Sequence, residues 1–528
     1  MDGGPHTEII IAGLLLAVAA LVTLARVVGV PYPIFLVIGG LAIGAVPGMP
    51  HVELEPDLVL LIFLPPLLYS AAFFASLRDL RRNVAAISML SVGLVLVTCV
   101  VVAVIAHEVV PGMSWAAAFV LGAIVSPTDP VAATAIAGRL GVPRRVVTVV
   151  EGESLINDAT AIAAYRVAVV AVTAGTFSAW DAGGRFLIGA LGGIAIGLAV
   201  GWVIALVREK LDDPPVEITI SILTAYVAYL PAEELGLSGV VAAVTVGLYM
   251  GSQTSRVTTA TTRMQGYAMW QTLTFLLNSI LFVLIGLQLP GLLDELREAD
   301  FAVATVVGYG LLASAAVIVV RVVWVAGFSA VTPLFGQARP HASSVALVGW
   351  MGMRGAVSLA AALALPLTTD AGEPFAERPL ILFITFVVIL VTLVLQGLSL
   401  PFVIRALHVE PDDGDVVEEN KARKVAARAA LERLEELSAE EWTRDDTIER
   451  MTGMYRYRYD RFAARFDTEA DGDAIESRTA DYLRIVAAVL EAQRIALEGL
   501  RQEGVIADDV MRRVEHELDL EEGRLLGD

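Results

Sequence analysis

The sequence predicts an all-α polytopic membrane protein followed by a separate α-helical domain, and three observations carry that prediction. Apolar stretches of spanning length recur along residues 9–404, basic residues segregate to alternate loops between them, and charge is concentrated beyond residue 409. Hydrophobic residues make up 56% of the 528 positions and charged residues 18%, with a mean hydropathy of +0.70, which argues against a soluble enzyme.

A spanning helix needs about 20 mostly apolar residues. Thirteen segments qualify, near 9–28, 31–47, 58–76, 84–106, 115–138, 146–172, 186–207, 216–232, 237–251, 270–291, 301–328, 343–367 and 379–404. The second, eighth and ninth are short, so twelve is the alternative count. The N-terminal MDGGPHTE lacks the basic region and cleavage site of a signal peptide, so the first segment is expected to be retained as a helix. Lys and Arg of short loops stay on the cytoplasmic side. With the N-terminus outside, thirteen loop and segment-end Lys/Arg fall on the cytoplasmic side, against Arg185, Arg297 and Arg378 outside. That asymmetry supports an odd number of spans and a cytoplasmic C-terminal domain, in a plasma membrane, the inner membrane if the cell is bacterial.

Two domains are therefore expected, a transmembrane domain over residues 1–408 and an acidic helical cytoplasmic domain over 409–528. The second holds 32 Asp/Glu and 18 Lys/Arg, in Ala/Glu/Arg-rich runs such as KARKVAARAALERLEEL, with Asp-Gly-Asp turns near 412–415 and 471–473. DTEADGD at 467–473 lacks the downstream Glu of a calcium loop and reads as an acidic turn. No ligand of this domain is legible. The single cysteine, Cys99, lies in an apolar run and reads as a small buried hydrophobe.

Ionisable residues at membrane depth cost roughly 2.5–3.5 kcal/mol each, so those that persist line a pathway or pair with one another. The fifth segment carries Ser126-Pro127-Thr128-Asp129-Pro130 at its centre, and two prolines there make a continuous helix improbable. A broken helix exposes carbonyls on one half and amides on the other. Thr128 offers cation-ligating oxygens, and Asp129 complements the positive start of the second half. In the sixth segment Glu153, Ser154, Asn157 and Asp158 fall within two turns, with Ser154 and Asp158 stacked on one face and Glu153 and Asn157 flanking. Burial favours the neutral form of a carboxylate, so that either a proton or a cation must accompany it. One carboxylate then carries either passenger, never both.

The twelfth segment embeds Arg354 between Gly352 and Gly355. A buried arginine needs an acidic or carbonyl partner, and Glu153 is the expected one. Arg321 and Arg166 are expected to snorkel from their helix ends.

These residues resemble the cation:proton antiporter superfamily, in its electroneutral sodium/proton exchanger branch. The resemblance rests on FLPPLLYSAAFF at 63–74, SPTDPVAATAI at 126–136, EGESLINDATAI at 151–162, FLLNSILFVLIGLQLP at 275–290 and GMRGAVSLA at 352–360, spread over residues 9–404. It implies that Asp158 of the Asn157-Asp158 pair carries cation and proton. It also implies that Thr128 and Ser154 add cation-ligating oxygens, that Glu153 and Arg354 form an ion pair, and that Asp129 and Arg354 compensate the broken-helix ends. The monovalent cation would then sit at Asp158, Ser154 and Thr128. A single exchangeable carboxylate, where electrogenic relatives have two consecutive aspartates, suggests one proton per cation.

The resemblance implies a homodimer in the lipid bilayer, with a fixed scaffold and a moving six-helix core. If segments one to six and eight to thirteen are inverted halves, the interrupted fifth and twelfth correspond, as crossed discontinuous helices require. Tyr69-Ser70 stands where some relatives have an acid after the aromatic, so no role of that acid carries over. The expected activity is exchange of Na+, with K+ as the alternative, for H+ by alternating access, serving pH homeostasis. It would use no cofactor beyond the transported ions and no nucleic acid. A different class, an intramembrane serine hydrolase using Ser238 in GLSG, would need a later intramembrane histidine. Only His341, His408 and His516 follow, at a loop edge or in the C-terminal domain.

Overall fold

The computed structural model describes residues 5–46, 56–173, 179–298, 301–332, 340–409, 414–464 and 472–526. Among them the chain is helical throughout, with one isolated bridge between Thr368 and Pro374 in a loop. It divides into two compact units, Met1–Pro411 and Asp412–Asp528.

In the first unit, α1 (Pro5–Val28) ends where Gly29 turns left-handed at φ +76°, and α2 (Tyr32–Gly44) starts with a proline in its first turn. Helix α3 (Pro56–Phe74) leads through the short α4 (Leu77–Arg82) to α5 (Val84–Ser88). A π turn at Met89–Leu94 joins α5 to α6 (Val95–Val109). The fifth segment is interrupted as its prolines require, into α7 (Trp115–Val125) and α8 (Pro130–Ala137). Then follow α9 (Arg144–Thr173), α10 (Ala179–Arg208), α11 (Pro214–Glu234), α12 (Gly239–Val257) and α13 (Ala260–Leu287).

Helix α14 (Leu289–Glu298) is short and amphipathic, and α15 (Val303–Val331) spans. The twelfth segment is likewise interrupted, into α16 (Ala342–Trp350) and α17 (Ala356–Leu363). A second π turn, Thr392–Gln396, joins α18 (Arg378–Val391) to α19 (Gly397–Ala406). Eight of these helices, some continuing through a break or π turn, are long and apolar enough to cross a membrane. With the shorter apolar α1, α2 and α3, and with α12 and the α16–α17 pair, they occupy the thirteen segments read from the sequence.

Two expectations change. Helix α13 begins at Ala260, ten residues before the apolar run, because its first turns read ATTRMQGYAM and hydropathy does not mark them. Thr259 caps it, accepting the Thr262 N–H at 3.3 Å. Helix α14 replaces an expected loop.

The first unit has two principal cores. The larger gathers α1, α2, part of α3, α5–α9, the end of α13 and α14–α19, among them Val18, Ile34, Phe63, Val150, Val317 and Phe386. The second joins α3 and α10–α13 through Tyr69, Ala228, Val246, Met250 and Trp270. Between them a smaller cluster, including Leu68, Leu155, Tyr229 and Val244, seats α9 against α3, α11 and α12. Large apolar side chains such as Leu187, Leu191, Trp202 and Val323 remain outward-facing, as lipid contact requires.

In the second unit, α20 (Gly414–Leu437) packs on α21 (Asp445–Ala464), and α22 (Gly472–Gln502) on α23 (Asp508–Leu526). Phe462 and Leu434 are buried, and Arg494 bridges α22 and α23 through Asp519 and Glu522. The expected turn at 412–415 and the acidic stretch 467–473 fall largely on residues 410–413 and 465–471, outside the described residues; Gly414 and Gly472 open helices.

Candidate ion-binding site

The two interrupted helices meet at their breaks. Helix α7 stops at Val125 because Pro127 and Pro130 supply no N–H to continue it, and Asp129 then caps α8, its Oδ1 accepting the Val131 N–H at 2.8 Å. The Asp129 N–H donates to the Met353 carbonyl at 2.8 Å, so one break is bonded to the other through backbone. From the second break, Arg354 Nε donates to the Val125 carbonyl at 2.8 Å, and its Nη1 to the Gly352 carbonyl at 2.5 Å. The Asp129 carboxylate lies against Gly355 at the start of α17. A Cβ there would fall 1.8 Å from Asp129 Oδ2. An acid thus stands at the amide-rich starts of α8 and α17 and a guanidinium at the carbonyl-rich end of α7, each opposite the partial charge it complements.

Helix α9 faces the breaks with Glu153 and Asn157. Glu153 accepts two hydrogen bonds from Arg321, Nη1 to Oε1 at 2.5 Å and Nη2 to Oε2 at 2.8 Å, with both side chains 1% exposed. This corrects the expected Glu153–Arg354 pair: Glu153 makes its ion pair with Arg321. Arg321 does not snorkel, since ten residues of α15 follow it, about 15 Å of helix. Its Nε donates to the Val348 carbonyl of α16 at 3.0 Å, tying α9, α15 and α16 together. Gly352 is what lets it pass, because a Cβ there would meet Arg321 Cδ at 2.2 Å. Arg354 is fully buried and gives its Nε and Nη1 to break carbonyls, while its Nη2 is buried without a hydrogen-bond partner among the described residues.

Thr128 Oγ1 donates to Glu153 Oε1 at 2.9 Å. Asn157 Nδ2 donates to the Thr128 hydroxyl at 2.9 Å and to its carbonyl at 3.2 Å. One lone pair of the hydroxyl is left over. Asn157 Oδ1 is buried without a hydrogen-bond partner among the described residues.

Asp158 and Ser154 form the adjacent row of the helix, about 100° round from Asn157 and Glu153. Asp158 is three residues from Leu155 and four from Ile162, so it shares the stripe that rests on α3 and α12 at the seam between the cores. It is 6% exposed, and among the described residues no side chain is hydrogen-bonded or ion-paired to it. Ser154, one turn back, is half-buried and likewise makes no side-chain hydrogen bond. The arrangement therefore holds one polar network (Arg321, Glu153, Thr128, Asn157), left open at Asn157 Oδ1 and the Thr128 hydroxyl, and, beside it, a carboxylate and a hydroxyl with oxygen lone pairs to spare. Hard oxygen donors of this kind suit alkali cations and protons.

Two contributors were missed. Thr392 Oγ1 accepts the Arg354 N–H at 3.1 Å, and Gln396 Nε2 donates to the Trp350 carbonyl at 3.0 Å, which caps α16. Both sit on the π turn of the last segment, and a Thr and a Gln in an apolar run were the only signal. Arg166, expected to snorkel, pairs with Glu233 of α11. Ser238, the hydrolase candidate, caps α12 by accepting the Val241 N–H at 3.2 Å. Cys99 is buried as expected.

Two interrupted spanning helices that meet at their breaks, with buried ionisable side chains beside them, are the architecture of an ion-coupled secondary transporter. The model of a family described as sodium/hydrogen exchanger, transmembrane, matches residues 13–406, and the chain belongs to that family, whose members are transporters and not enzymes. It is 38% identical over 533 residues to an uncharacterized Na(+)/H(+) exchanger of Mycobacterium tuberculosis (strain ATCC 25618 / H37Rv), covering 99% of this chain and 97% of the relative. A sodium, potassium, lithium and rubidium/H(+) antiporter of Bacillus subtilis (strain 168) is 34% identical over 385 residues, 70% of this chain and 57% of that one. The solved structure of the sodium proton antiporter MjNhaP1 from Methanocaldococcus jannaschii superposes with a TM-score of 0.59 at 21% identity, over 75% of this chain and all of that one, and shows a shared fold.

Proposed function

We propose that the chain exchanges Na+ for H+ one for one, with Asp158 as the shared carrier and Ser154, Thr128 and Asn157 as neighbouring oxygen donors. A single observation carries the assignment: Asp158 is buried with no side chain hydrogen-bonded or ion-paired to it among the described residues, whereas Glu153 is locked to Arg321 and Asp129 caps helix starts. A free carboxylate at a seam serves either passenger. A cation at Asp158 displaces the proton, and a proton neutralises the site for the return movement. The larger core then moves against the smaller, opening the seam to each side in turn. The source of energy is the gradient of one ion, with no resident cofactor.

K+ is the second reading, favoured by the potassium in the name of the Bacillus subtilis relative. The proposal includes a homodimer, an outside N-terminus and a cytoplasmic C-terminal unit, the last two supported by the basic-residue asymmetry. Purified protein in vesicles, given Na+, K+ and Li+ in turn while internal pH is followed, tests cation choice. One-for-one exchange predicts the same rate at zero and at imposed membrane potential. A rate that follows the potential would contradict it.

A further inference from the structure

Away from Asp158, the end of α3 and the facing ends of α10, α11, α12 and α13 surround a half-open cavity of about 340 Å³. It lies in the smaller core, at the membrane end that carries Arg208, Lys210, Arg256 and Arg263.

Its charged walls are incompletely bonded. Arg208 lines it with a side chain only 5% exposed, yet Arg208 Nε has no hydrogen-bond partner among the described residues. The ion pair to Glu217 is long, 3.5 Å from Nη2 to Oε2, and that oxygen likewise accepts no hydrogen bond among the described residues. Glu217 Oε1 is occupied by the Thr262 hydroxyl at 3.1 Å. Arg263, on the cavity wall, spends Nη1 on the Thr258 carbonyl at 2.6 Å and makes no other hydrogen bond or ion pair among the described residues. Two guanidinium groups against one carboxylate leave the wall with a surplus positive charge. A buried N–H without an acceptor calls for one, and an oxyanion supplies it where a cation would be repelled. The planar donor edges of arginine suit the oxygens of phosphate. Phe73, Phe74 and Tyr267 form the apolar part of the wall, and Phe74 and Tyr267 meet edge-on at 5.3 Å on the outer surface, which gives an acyl chain a path out.

We propose that this cavity binds a phosphate-ester or phosphate anion between Arg208 and Arg263, supplied by an anionic phospholipid headgroup or by free phosphate. The full chain in neutral detergent is titrated with dioleoyl phosphatidylglycerol, with dioleoyl phosphatidylcholine and with inorganic phosphate against equal chloride, reading the unfolding temperature. Two variants accompany it, Arg263→Gln and the paired Arg208→Leu/Glu217→Leu, which strands no charge. A saturable stabilisation by phosphatidylglycerol but not phosphatidylcholine, weakened about tenfold or more by Arg263→Gln and abolished in the paired variant, supports the site with a lipid source. The same pattern with inorganic phosphate supports it with a soluble source. If the paired variant does not fold, Arg263→Gln alone decides. No stabilisation by either anion, or one that Arg263→Gln leaves unchanged, overturns the proposal.

Discussion

At the residue scale the membrane unit separates charges that hold the fold from the charge proposed to move ions. Glu153 and Arg321 form a bidentate buried pair with every carboxylate oxygen bonded. Breaking such a pair from one side leaves an uncompensated buried charge, at a cost of about 3–5 kcal/mol. Arg321→Met is therefore expected to lower the unfolding temperature sharply, and Arg321→Met combined with Glu153→Leu to recover much of the loss. Arg354→Met, which leaves that pair intact, should cost less. Thermal unfolding of the four proteins in detergent decides, and a larger loss at Arg354 than at Arg321 would overturn the assignment. The proposed role of Asp158 predicts a pH effect whose sign follows from competition: with one carboxylate shared by protons and cations, lowering the pH would fill it with protons. The cation concentration for half-maximal exchange should rise as pH falls, by up to about tenfold per unit. An unchanged value between neutral and acid pH would count against a shared carboxylate.

At the element scale, the breaks are held by side chains from a third, unbroken segment. The π turn Thr392–Gln396 points Thr392 at the Arg354 N–H and Gln396 at the Trp350 carbonyl. Gln396→Leu removes the cap on α16, a loss on the order of 1 kcal/mol. It should lower both the unfolding temperature and the exchange rate, and wild-type values for both would show that the cap is idle.

Much of this was readable beforehand for a simple reason: proline and in-span charge are costly in a bilayer, so Pro127, Pro130, Asp129 and Arg354 mark the breaks by composition alone. The partner of Glu153 was not readable. Arg321 lies in a long apolar run with no glycine or proline beside it, and only the folded crossing of α15 over Gly352 brings it to α9. Likewise α14 and the first turns of α13 are too polar for a hydropathy reading, and no periodic sequence signal marks a π turn.

At the scale of the whole first unit, two cores meet along a seam seated on α9, and Asp158 lies on α9 between Leu155 and Ile162, which pack at that seam. That division suits the proposed movement of one core against the other, in which the buried ion pair would travel as a unit and the carboxylate would change its exposure. The proposal rests on that carboxylate. The direct measurement is Na+-driven pH change in sealed vesicles containing Asp158→Asn, compared with wild type at equal protein content and with matched unfolding temperatures. The account predicts a folded protein with no exchange above protein-free vesicles, and proton-coupled Na+ movement at a wild-type rate in Asp158→Asn would contradict it.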